Sequence, residues 1–296
     1  MGILDKALAV VDNYRRVAGR NVSDLIHNPS DAITNTLYNA ADTAVAQIKA
    51  ATEGDVSYLL PGGNAASGAK LIGTFAGQSA KTFPFAKLDK FIQMEEAGTH
   101  SAKKIFKETG LWRGSEGKLR YEIPDTGMKL KPAAIEDGIQ TYAVEHPDLV
   151  AAYPNLQKLL DELRVKVDSS LGKSGSFNPK TLKLQAQAPD LLTAKNTVAH
   201  ELQHTIQETE NFARGGNPKM FDPVYKPNYD AIGFQIAPDQ LMKAESLDPY
   251  QAYLRIAGEA ESRAVENQLT KALSGTPGNP LESFDIPFDK MIQLPR

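Results

Sequence analysis

Cysteine is missing from all 296 residues. That excludes disulfides and any thiolate-held structural zinc, so a bound metal would have to use histidine and carboxylate. The same absence suits reducing and oxidising compartments alike. No apolar window reaches the roughly 18 residues that a membrane helix needs. The opening MGILDKALAVVDNYRR is broken by charge too early to form a signal-peptide core. The expectation is therefore a soluble globular chain with no signal peptide and no membrane span. Blocks of one charge are also lacking: 33 basic and 36 acidic residues are interspersed, so no basic face suggests nucleic acid as a partner. The glycine-rich stretches YLLPGGNAASGAK and LIGTFAGQSAK lack the Gly-Lys-Ser/Thr ending that meets phosphate and magnesium. No internal repeat stands out.

What is present suggests an α+β chain with enough apolar content to bury a core. The N-terminal part reads as small, Ala-rich helices. Leu4, Leu8 and Val11 share one face, and Ile33, Leu37, Ala41, Ala44 and Ile48 share another, with Ser30 as an N-cap. The Pro/Gly break after Leu60 places a domain boundary near here, giving an α-helical region over 1–84 and a second domain over 85–296. A helix is predicted from about Phe91 to Glu108. LWRGSEGKLRYEI comes next, with Leu119, Tyr121 and Ile123 alternating around a Gly-containing turn as in a β-hairpin. After a mainly helical interval come two strands, LRVKVD and TLKLQA, joined by a loop that contains Gly172, Gly175, Asn178 and Pro179. The pattern then becomes helical from Asn196 to about Phe212, with Gly215 and Gly216 ending the helix, and again from Tyr250 to Leu273.

The first of these late helices carries AHELQH. Residues four apart share a helix face, so His200 and His204 can offer two imidazoles to one ion. Glu201, turned about 100° from His200, stands beside the metal as a base for bound water. Val198, Leu202 and Ile206 would bury the opposite face. Accidental matches to so short a motif arise about once in two hundred such chains, so the context has to support it. A catalytic zinc takes a third protein ligand. Glu208 and Glu210 sit at the end of the motif's own helix, where capping or solvation suits them better. YLRIAGEAESRAVENQL offers Glu259 as the chosen ligand and Glu261 as the competitor, with Glu266 assigned to a solvated face. Arg263 shares the face of Glu259 and could orient it or stabilise negative charge on substrate; an ordinary helix salt bridge is the alternative. Tyr253 could donate to an oxyanion or simply pack in the core. His27, His100 and His146 read as surface residues.

ETGLWRGSEGKLRYEI, AHELQHTIQETENFARGGNP, AGEAESRAVENQL and PLESFDIPFDKMI occur in that order. Over roughly residues 85 to 296 the chain resembles the large polyvalent-protein-associated domains with a zincin motif, found in phage and mobile-element proteins. It departs mildly at Leu111-Trp112 and at Ser262. The resemblance implies a zincin-like domain with a small sheet, an HExxH helix and a third-ligand helix. It also implies metal ligation by His200, His204 and a Glu259-type residue as in gluzincin peptidases, and a place in the virion or the host cytoplasm.

The expected function is a phage-associated zinc metallopeptidase acting on a peptide or protein substrate, with Glu201 as general base and TLKLQA pairing with extended substrate. Iron, cobalt or manganese would also suit two histidines and a carboxylate. The alternatives are a virion or ejection component that meets other virion proteins and keeps a structural ion, a regulator that binds a host partner without cleaving it, and an autoprocessing protease.

Overall fold

The computed structural model describes residues 73–125, 127–178, 181, 183–225, 236–273 and 278–295. The helices expected before residue 73, and His27 with them, lie outside the described residues. The described fold is mixed α and β, with two sheets and several helices.

The chain enters as β1 (Gly73–Ala76), which pairs antiparallel with β3 (Leu119–Pro124). The β1 residues precede the boundary placed at 84/85, yet they belong to the same compact unit as the later strands and helices. Between β1 and β3 lie α1 (Leu88–Glu96) and α2 (Ala102–Thr109), where the sequence suggested one helix. Gly98 at φ 63° stops the first, and Ser101 starts the second by accepting a hydrogen bond from the Lys104 amide. The expected hairpin forms from β2 (Trp112–Arg113) and β3, giving a three-stranded sheet in the order β1-β3-β2.

The interval after β3 is not mainly helical. It begins with a second hairpin, β4 (Lys129–Glu136) and β5 (Ile139–Glu145). Asp137 and Gly138 turn it, both in the left-handed region at φ 54° and 79°, the backbone that a two-residue turn between twisted strands requires. Two short helices come next, α3 (Pro147–Ala152) and α4 (Gln157–Glu162). Then come β6 (Arg164–Val167), β7 (Ser174–Asn178) and β8 (Lys183–Ala188). The five-stranded sheet runs β4-β5-β6-β8-β7, with β6 and β8 parallel. The segment expected as a loop thus supplies the edge strand β7, and β8 lies inside the sheet.

Helix α5 (Leu191–Glu210) packs on β8, β7, β6 and β1, starting from an Asp190 side chain that accepts from the Thr193 amide. Val198, Leu202 and Ile206 are fully buried, as their spacing suggested. Asn211, left-handed at φ 54°, ends the helix ahead of Gly215 and Gly216. A short helix, α6 (Pro238–Met242), precedes the last expected helical stretch, which is divided into α7 (Pro249–Leu254) and α8 (Ala257–Leu273). The break before α8 falls where Ile256 bridges Ile292 in the C-terminal segment, with Ile292 N donating to the Arg255 carbonyl and Ala257 N to that of Ile292. Among the described residues no helix is long and apolar enough to cross a membrane.

Candidate metal centre

On α5, His200 and His204 are one turn apart, with ring centroids 4.9 Å from each other. Glu259, in the first turn of α8, faces both: its Oε2 is 3.5 Å from His200 Nε2 and its Oε1 is 3.4 Å from His204 Nε2. Ligand atoms of the three residues all lie within 4.8 Å of one another. Bonds of about 2.1 Å in a tetrahedral site put neighbouring ligand atoms about 3.4 Å apart, so the two His–Glu separations suit one small ion.

The donor set leads to the same conclusion. His200 Nδ1 donates to Glu266 Oε1 at 2.6 Å, and His204 Nδ1 to Gln207 Oε1 at 2.9 Å. In a neutral imidazole that leaves each Nε2 as an acceptor. Two lone pairs then converge on a carboxylate that is only 3% exposed, and a cation has to balance them. Without a metal a proton does so. Burial opposes charge on His204, but Glu259 beside it wins and raises the imidazole to about 9. Burial likewise opposes the Glu259 charge, and His204 and His200 nevertheless hold it well below the usual carboxylate range. Glu259 is fixed further by Tyr253, whose hydroxyl donates to Oε2 at 2.8 Å, and by the Gly216 amide, which donates to Oε1 at 2.8 Å.

Glu201 lies beside this cluster. Its carboxyl sits against Gly175 of β7, where a Cβ would overlap it. Burial pushes its pKa up, against the pull of His204 and His200, which suits a group that takes and returns a proton. The cleft above, about 570 Å³, is lined by β7 at Gly175, Ser176 and Phe177, by the two histidines and Glu201, and by the loop over Gly215 to Pro218. Gly215 lies against two of the candidate ligands: a Cβ there would strike the His204 ring and Glu259 Oε1.

Several expected roles change. Glu261 is no ligand, because its Oε2 accepts from Arg120 Nε and Nη2 at 3.0 and 2.9 Å in the core. Arg263 leaves the site altogether, engaging Asp285 and the Leu254 carbonyl. Tyr253 reaches the site through Glu259. Glu266 is not on a solvated face: it holds His200 and pairs with Lys173. The spacing of seven between Glu259 and Glu266, which places both on one helix face, was the available signal. Glu208 pairs with Arg214, and Glu210 is buried, accepting from the Ser79 amide and the Tyr153 hydroxyl. His146 is buried too; its Nε2 donates to Asp125 Oδ1 at 2.7 Å while its Nδ1 caps α3 by accepting from the Leu149 amide.

Under the centre runs a polar network that spacing did not reveal. Gln203, between the two histidines, accepts from the Phe75 amide at 2.9 Å and donates to the Phe75 carbonyl at 3.0 Å, so α5 is docked to β1 as if it were another strand. The Gln203 side-chain Nε2 also donates to Glu261 Oε1 at 2.8 Å, and Arg120 stacks on Phe212, 3.1 Å from the ring centroid. Both anchors, Phe75 and Arg120, come from the N-terminal sheet.

Residues 73–131 match large polyvalent protein associated domain 23. The match takes in ETGLWRGSEGKLRYEI and supports the likeness to polyvalent proteins read from that stretch. Its residues end before the HExxH motif, but they include Phe75, Arg120 and Ser79, which bond to Gln203, Glu261 and Glu210 in turn. No curated protein and no solved structure matches the chain.

Proposed function

We propose that the chain is a metallopeptidase-like hydrolase that cleaves peptide bonds, with His200, His204 and Glu259 holding a zinc ion. The observation that carries this reading is the convergence of those three ligand atoms beside a buried carboxyl that no ligand role requires. Zinc, when bound, acidifies water to a pKa of about 7 and polarises a carbonyl. Glu201 takes the proton from the attacking water and passes it to the leaving amine; its raised pKa supports both transfers. Tyr253 and the Gly216 amide keep Glu259 in place. Strand β7, at the edge of the sheet and on the wall of the cleft, replaces TLKLQA as the strand that an extended peptide would join.

The match over 73–131 favours a second reading, in which a polyvalent protein of the virion or the injected cargo keeps the ion for structure or binds a host partner. Glu201→Gln separates the two. Under the peptidase reading it keeps about one zinc per chain, measured by plasma mass spectrometry, while hydrolysis of a quenched peptide library falls about 10²- to 10⁴-fold. His204→Ala loses both zinc and activity. Undiminished hydrolysis by Glu201→Gln overturns the mechanism.

A further inference from the structure

Resting on the metal-site reading above, one contact ties the wall of the cleft to the metal ligands. Lys173, the residue before β7, forms an ion pair with Glu266 Oε2 on α8, and the other oxygen of that carboxylate accepts from His200 Nδ1 at 2.6 Å. Two residues along, Gly175 lies against Glu201. The beginning of the edge strand is therefore fastened to the centre at two points, one leading to a metal ligand and the other to the base. The Glu266 side chain is 15% exposed and that of Lys173 47%, so the clasp lies at the boundary of the cleft, within reach of whatever pairs with β7.

We infer that Lys173 is a positioning residue that acts through Glu266 on His200 and so strengthens metal binding. A carboxylate held at one oxygen by an ammonium cannot swing, and so it fixes the imidazole plane and keeps Nε2 aimed at the ion.

Simple electrostatics predicts the opposite sign, which makes the test decisive. Removing a cation near a divalent ion should tighten binding, whereas loss of positioning should weaken it. Zinc dissociation constants are measured on the full chain by competition with a chromophoric chelator, for wild type, Lys173→Met, Lys173→Arg, Glu266→Gln and the Lys173→Met/Glu266→Gln double variant. The metal-free proteins are melted in parallel to show that each folds. The expected result for Lys173→Met is zinc binding about three- to fivefold weaker, the scale of a half-exposed ion pair. Lys173→Arg should stay within about twofold of wild type. Glu266→Gln should weaken binding about 10- to 100-fold, and the double variant should be no worse than Glu266→Gln alone. Unchanged or tighter binding in Lys173→Met, or additive losses in the double variant, overturns the inference and leaves the metal site intact. A wild-type chain that takes up no zinc overturns both.

Discussion

Glu122 combines burial and charge in a single side chain. It is 2% exposed beneath α8, with Gln268 Nε2 donating to its Oε1 at 3.1 Å. Burial raises its pKa to about 8; the Gln268 amide and the Gly73 backbone offset only part of this, and the nearby charge of Asp125 adds to it. A carboxyl whose folded pKa exceeds its unfolded value of about 4.5 contributes fully to stability below that value, and the contribution is lost as pH rises through about 8. Glu122→Gln, neutral at every pH, should therefore melt like wild type near pH 4.5 and at a higher temperature near pH 9. The difference should be on the order of a few kcal/mol. Thermal melts at the two pH values decide it, and an equal shift at both would show that Glu122 ionises freely in the fold. Sequence alternation placed Arg120 and Glu122 opposite Leu119, Tyr121 and Ile123, but whether that second face met water depended on α5 and α8 arriving over it. His146 and Glu210 were misread because the groups that bury them, Asp125 for one and Ser79 and Tyr153 for the other, lie far off in the chain.

At the scale of elements, two glycines separate the halves of the proposed chemistry. Gly175 on β7 leaves room for the Glu201 carboxyl, and Gly215 leaves room for His204 and Glu259. Gly175→Ala should therefore displace the base while sparing the ligands, keeping zinc affinity within about twofold but lowering hydrolysis at least about tenfold. Gly215→Ala should instead weaken zinc binding, about tenfold or more, with hydrolysis falling in step. Chelator competition together with a fluorogenic peptide assay reads both, and identical profiles for the two variants would refute the division. Apolar periodicity was enough to locate α5, β3, β6 and β8. It missed β7, because SGSFN has almost no apolar side chain to alternate and is a strand only through its pairing with β8. The reading also missed the β4–β5 hairpin, although Asp137-Gly138 carried its turn signal, a backbone preference that outweighs the helical look of its surroundings.

In the described unit as a whole, buried charge joins the three-stranded sheet to the late helices. Arg120, with a fully buried side chain, binds Glu116 and Glu261 and stacks on Phe212, linking the segment that matches the polyvalent-protein domain to the helix that carries Glu259 and Glu261. Arg120→Met strands the Glu261 carboxylate and should cost about 3–5 kcal/mol in denaturant unfolding, while Arg120→Met/Glu261→Met should recover most of that loss. Failure of the double variant to recover would locate the value of Arg120 elsewhere, in its packing on Phe212. The chain's own residues, read in order, determined the mixed fold, the motif helix with its buried Val198–Leu202–Ile206 face, and the pairing of His200 with His204, because helix periodicity places residues at spacings of three, four and seven on one face whatever the helix packs against. Only the tertiary structure decided between Glu259 and Glu261, sent Arg263 to Asp285, drew Glu266 onto His200 and set β7 against Glu201. Those outcomes depend on the rotation of α8 against α5 and on which strand takes the sheet edge, and both are set by contacts between residues far apart in the chain.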